Sequence, residues 1–215
     1  MTSVHFTAHF EALLQMKAYQ EFFFSSLLPL EGDLDAEWGS LMKRYREKAV
    51  HYHRVLQDIL KEMRLTAQVK KVVIDAEYRV SATDSELLLP DSFNPEIGEL
   101  MLFLSPESFE KPSTIRHELG HLQDRLSHDF GYEKLRQLYN DAVNEVWNVF
   151  IDSRLEREKT PGLTKEERWH HFSLTFPRMP PTQRKAYFET LWSSASYTHE
   201  EVIFHGEALK EYTEL

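Results

Sequence analysis

Ser113-Thr-Ile-Arg-His-Glu-Leu-Gly-His-Leu-Gln-Asp124 decides how the rest of the chain is read. It contains His117-Glu118-x-x-His121. On a helix, residues four apart share a face, so both imidazoles turn toward one metal ion while Glu118, about 100° further round, stands beside an open coordination position. The spacing therefore predicts a helix that carries two zinc donors and a general base. Ser113 or Thr114 caps that helix just after Pro112, and Ile115, Leu119, Leu122 and Leu126 form an apolar stripe opposite the histidines.

Two imidazoles do not make a stable mononuclear site, so a third donor is expected nearby. The segment 133–158 reads as the next helix, and between positions 142 and 151 it is apolar nearly all round, which indicates burial. Asn144, Glu145 and Asn148 stand within that stretch. A buried carboxylate must be paired, hydrogen-bonded or metal-bound, and Glu145 has no Lys or Arg within four residues on its own helix, so the metal is the expected partner. Asp141, Glu145, Asn148, Asp152 and Glu156 fall on one stripe, which makes Asp152 a second candidate ligand or, with Asn148, a group that orients a histidine. The break at 129–132 makes the two helices antiparallel neighbours. Counted from that turn, Glu145 comes level with His117, while Asp152 lies two turns on, roughly 10 Å away, and Glu145 is preferred to Asp152.

Working outward, the helical period is sustained over 34–63, and 6–28 repeats it in a more aromatic form. Pro29, Gly32 and Asp33 separate the two, which predicts a helical hairpin over 1–68. The period changes at 69–80 and 99–105, where β-branched and apolar runs predict two or three strands. Helical patterns return after Pro112, with breaks at 129–132, 160–163 and 177–181. The expectation is a mostly helical α+β chain, with 69–215 as its main part and 1–68 as an appendage or as part of the same domain. Strand 99–105 is expected to offer an open edge to an extended peptide substrate.

Composition agrees. The 215 residues hold only 7 glycines and 9 prolines, too few turn formers for a sandwich or barrel of many short strands. Aromatic residues at 13% exclude long disorder. The net charge of −10, without clustered Lys and Arg, argues against nucleic-acid partners. No stretch approaches a membrane span, so a cytoplasmic chain that does not enter membranes is expected, and nothing in it specifies an oligomeric state. The absence of cysteine excludes a disulfide framework and thiolate metal sites.

A tetrahedral oxyanion would need a further donor, for which Tyr132, Tyr139, His199 and His205 are candidates. The run 197–205 is the richest in such groups and is expected either to fold over the cleft or to form a solvated terminal helix. His51, His53, His170 and His171 read as surface residues, His128 as a complement to a helix C-terminus, the four tryptophans as core, and 165–168 as a solvated helix turn.

Taken together, a strand, His117-Glu118-Leu119-Gly120-His121, a short loop and a helix bearing Asn144-Glu145 resemble the gluzincin metallopeptidases, especially the small minigluzincins, over about residues 98–158. The resemblance implies a zincin-like core over 69–215, a small sheet with an HExxH helix and a following ligand helix, and zinc held by His117, His121 and Glu145, with Glu118 as general base in peptide hydrolysis. It departs at Val149, where many gluzincins carry an aspartate. Asn148-Val-Phe-Ile-Asp152 is also similar to an Asn-x-x-x-Asp signature of other HExxH families. The expected function is zinc-dependent peptide-bond hydrolysis. The alternative is a metal-binding but latent or inactive zincin-like protein that serves interaction or regulation.

Overall fold

The amphipathic pattern that begins at residue 34 forms a helix of eight turns, α2 (Leu34–Glu62), in a computed structural model that describes residues 2–26, 34–75, 93–132 and 140–213. Before it come β1 (Ser3–Phe6) and α1 (Ala8–Ser26). After it come β2 (Lys71–Asp75), β3 (Phe93–Asn94), β4 (Glu99–Phe103), a 3-10 turn at Pro106–Glu110 and α3 (Pro112–Leu126). Four helices complete the described chain: α4 (Asp141–Arg157), α5 (Lys165–Thr175), α6 (Pro181–Ser193) and α7 (His199–Leu209). The fold is thus mostly helical with a small sheet, and no described helix is long and apolar enough to cross a membrane.

The chain divides into two compact units, Met1–Ile115 and Arg116–Leu215. The first contains a four-stranded sheet in the order β1-β2-β4-β3, with β1, β2 and β4 parallel and β3 antiparallel to β4. Ser3–Phe6 runs against Lys71–Ile74, so residues on both sides of position 68 share one sheet, and the division falls at 115/116 instead of 68. The four-residue stretch 3–6 is too short to carry a period of its own, and its extended form comes from this pairing. Gly98 turns the chain into β4 at φ +67°, where a Cβ would meet the Gln68 carbonyl oxygen at 2.7 Å. The open edge expected of this strand is covered in part: β2 pairs along the whole of β4 on one side, and on the other β3 pairs with Glu99 and Leu100. Residues 76–80 of the expected strand 69–80 lie outside the described residues. The core of this unit collects Phe10 and Leu14 of α1, Leu56, Ile59 and Leu60 of α2, alternate residues of β2 and β4, and Phe109. Trp38, expected in a core, is 58% exposed, because its position on α2 faces outward.

The second unit is built around α4. As its unbroken apolar run predicts, the helix is buried on nearly every side, from Ala142 to Leu155. Phe172 and Phe176 of α5, Phe188 and Leu191 of α6, and Val202 and Leu209 of α7 complete its core. Asn140 caps α4 by accepting from the Val143 N–H. The helix therefore starts eight residues later than the expected 133, and residues 133–139 lie outside the described residues.

Candidate metal centre

The HExxH spacing does bring two imidazoles together: the rings of His117 and His121 lie 5.2 Å apart on α3, and both side chains are buried. Their Nε2 atoms converge on a single oxygen, Oδ1 of Asn148 on α4, at 3.2 and 3.0 Å. On its other side His117 presents Nδ1 to Oδ1 of Asp152 at 2.8 Å. A carboxylate only accepts, so this Nδ1 carries a proton and donates. The side chain of Asn148 also bonds to Glu145. Because Glu145 likewise only accepts, the amide N–H of Asn148 faces it and the amide oxygen faces the histidines.

Behind the carboxylates stands Arg168 of α5. Its Nε donates to Asp152 Oδ2 at 2.6 Å, and its Nη1 approaches Glu145 Oε2 at 3.2 Å and Oε1 at 3.5 Å. This corrects two expectations. The segment 165–168 is a solvated turn except at its last residue: Glu166 and Glu167 are exposed, Thr164 and Glu167 form a reciprocal capping box, and Arg168, 4% exposed, points into the unit. The partner of Glu145 is this guanidinium from another helix, and it is Asn148 and Asp152, not Glu145, that reach the histidines. The count from the turn at 129–132 misjudged the register because α4 begins only at Asp141. The position on the stripe was legible; which member comes level with His117 was not.

Electrostatics follow the contacts. Burial opposes a charged His117, but the Asp152 carboxylate outweighs it and holds the imidazole above its ordinary pKa. Asp152 is correspondingly held below the usual carboxylate range despite its burial, by His117 and Arg168. Burial, aided by the neighbouring His117, pushes His121 well down. The same burial pushes Glu145 up against the opposing pull of Arg168. Nδ1 of His121 has no hydrogen-bond partner among the described residues.

One turn along α3, Asp124 braces the motif helix to the rest of the unit. It accepts from Trp147 Nε1 at 2.8 Å, pairs with Arg154, and receives a longer bond from the Tyr197 hydroxyl at 3.4 Å. Arg154 also donates to the Gly120 carbonyl at 3.3 Å. Gly120 lets α3 approach closely, since a Cβ there would meet Ile151 at 2.7 Å. No role for Asp124, Arg154 or Tyr197 is readable from local sequence.

The candidate oxyanion donors separate. His199 is buried, its N–H donates to the Phe130 carbonyl at 2.7 Å, and its ring lies 4.9 Å from Tyr132 and 6.3 Å from Trp147. Tyr132 lies under the Arg125 guanidinium and stacks on Trp147, whose ring touches His121 at 4.6 Å. The segment 197–205 thus packs back onto α4 and is no solvated terminal helix. His205 is engaged elsewhere, with the Tyr187 hydroxyl at 2.7 Å. Tyr139 lies outside the described residues. His51, His128, His170 and His171 are exposed, and His53, half-buried, bonds to Gln57.

Among the described residues no three of His, Asp, Glu or Cys come together as a metal-binding group. Two imidazole nitrogens and one carboxamide oxygen do converge, and the imidazoles are donors that zinc ordinarily takes. Comparison with protein-family models finds no match, and comparisons with curated proteins and with solved structures find none either.

Proposed function

We propose that this chain is a zinc-dependent hydrolase of peptide bonds with a zincin-like core, in which His117 and His121 supply two metal donors, α4 supplies the third, and Glu118 is the general base. The observation that carries the reading is the convergence of both Nε2 atoms on one oxygen while the far side of His117 is held by Asp152. Bound zinc supplies a water whose pKa falls to about 7 and an electrophile for the scissile carbonyl.

The remaining work belongs to side chains. Asp152 accepts a hydrogen bond from Nδ1–H of His117, which fixes the tautomer and leaves the Nε2 lone pair for the metal. Glu118, buried next to His117 in sequence and on the adjoining helix face, takes the proton of the attacking water and passes it to the leaving amine. Tyr132 and His199, grouped with Trp147 beside His121, are the candidates for stabilising the oxyanion. The choice of a peptide as substrate rests on the resemblance to the gluzincins.

The test combines elemental analysis with turnover of a peptide library. The wild type is expected to hold one zinc per chain, and His121→Ala to lose it. Glu118→Gln is expected to keep the metal while cleavage falls by about 10²- to 10⁴-fold, the usual contribution of a general base. Cleavage by Glu118→Gln at the wild-type rate sinks the assignment. The burial of His117, Glu118 and His121 together favours one second reading, a latent metal-binding protein, which the same assay identifies by bound zinc without turnover in the wild type.

A further inference from the structure

The geometry points to Asn148, through its amide oxygen, as the third metal donor, with Glu145 kept off the metal by Arg168 and used to aim the amide. This deepens the hydrolase reading above and rests on it.

Three observations converge. Donors bound at 2.0–2.2 Å in a tetrahedron lie about 3.3–3.6 Å apart, and the Asn148 oxygen stands a few tenths of an ångström inside that, 3.2 and 3.0 Å from the two Nε2 atoms. The orientation is also set: Asp152 accepts from Nδ1–H of His117 and so turns Nε2 toward the amide oxygen, which faces Nε2 of His121 as well. Finally, Glu145 is already committed, because its carboxylate faces Arg168 and accepts from Asn148. Swinging it to the metal would break both contacts inside a buried site.

Arg168 therefore supports the donors along two routes. One runs through Asp152 to His117 Nδ1, and the other through Glu145 to the amide of Asn148. The carboxylates orient the donors instead of serving as donors, so the atoms that face the metal are all uncharged.

The chain contains no cysteine, so an introduced thiol reports its own position. Full-length Asn148→Cys and Glu145→Cys are loaded with Co²⁺, since a coordinated thiolate adds an intense sulfur-to-cobalt charge-transfer band in the near ultraviolet. The band is expected in Asn148→Cys and not in Glu145→Cys. In parallel, Asn148→Ala is expected to weaken Co²⁺ binding by more than about 100-fold, the upper end of what loss of an orienting group costs, while Glu145→Gln, which still accepts from the Asn148 amide, weakens it by less than that. These two variants keep the test decisive if a cysteine variant does not fold.

A band in Glu145→Cys alone, or in neither variant, overturns the assignment and leaves the hydrolase reading standing. So does retention of Co²⁺ by Asn148→Ala together with its loss from Glu145→Gln. A wild type that binds neither Co²⁺ nor zinc overturns both. The band in Asn148→Cys without peptide turnover by the zinc-loaded wild type upholds the ligand and rejects the hydrolase.

Discussion

Arg168 lies in the first turn of α5 and reaches two carboxylates of α4, Asp152 and Glu145, in surroundings where all three side chains are nearly inaccessible to water. Removing one partner of such a group leaves uncompensated buried charge, which typically costs 3–5 kcal/mol. Arg168→Met is therefore expected to lower stability by about that amount and, at about 2–4 °C per kcal/mol for a chain of this size, to lower the melting temperature by about 6–20 °C. Adding Glu145→Gln to it is expected to recover part of the loss, because one of the two stranded charges goes. Thermal melts of the single and double variants check this, and a double variant less stable than the single one contradicts the pairing. Nothing local announces Arg168: an arginine after Thr164 and Glu167 in a capping box is the ordinary composition of an exposed first turn. The buried carboxylates on α4 were the only signal that a cation had to arrive from elsewhere.

The elements of the second unit meet at close approaches that small residues permit. At Gly206 α7 comes so near α4 that a Cβ would stand 2.6 Å from Cα and 2.9 Å from N of Val143, which are backbone atoms that cannot rotate away. At Gly120 the obstacle is the Ile151 side chain at 2.7 Å, which can adjust. Replacing a helical glycine by alanine favours the helix by about 1 kcal/mol, whereas overpacking costs about 1–3 kcal/mol. Gly206→Ala is expected to be destabilising, by about 1–3 kcal/mol, and Gly120→Ala to be closer to neutral. Urea unfolding of both checks the order, and an equal or reversed order contradicts the packing. Helix existence was legible for α2, α3 and α4, since each carries a long period or an unbroken apolar run. The start of α4 was not, because apolar residues precede its cap at Asn140 and the pattern runs on across it.

On the scale of the whole molecule, a metal that binds only the folded state stabilises it by mass action, by about 2.7 kcal/mol at a hundredfold excess over the dissociation constant. Zinc is expected to raise the melting temperature reversibly, with chelator restoring the original value. Its added protection from hydrogen exchange is expected in α3 and α4 and not in β1, β2 and β4, which belong to the other unit. Protection gained chiefly in the sheet places the metal elsewhere. The sequence by itself determined the mostly helical build, the strand character around 71–75 and 99–103, the shared face of His117 and His121, and the stripe on which Asn148 and Asp152 lie. All of these follow from periods of two or 3.6 residues, which are properties of neighbours along the chain. Only the tertiary structure decided that residues 3–6 join the sheet, that β2 pairs along the whole of β4, that Arg168 takes Glu145, and that Asn148 meets both imidazoles. Each of these depends on the register between segments tens of residues apart, which packing sets and no local pattern encodes.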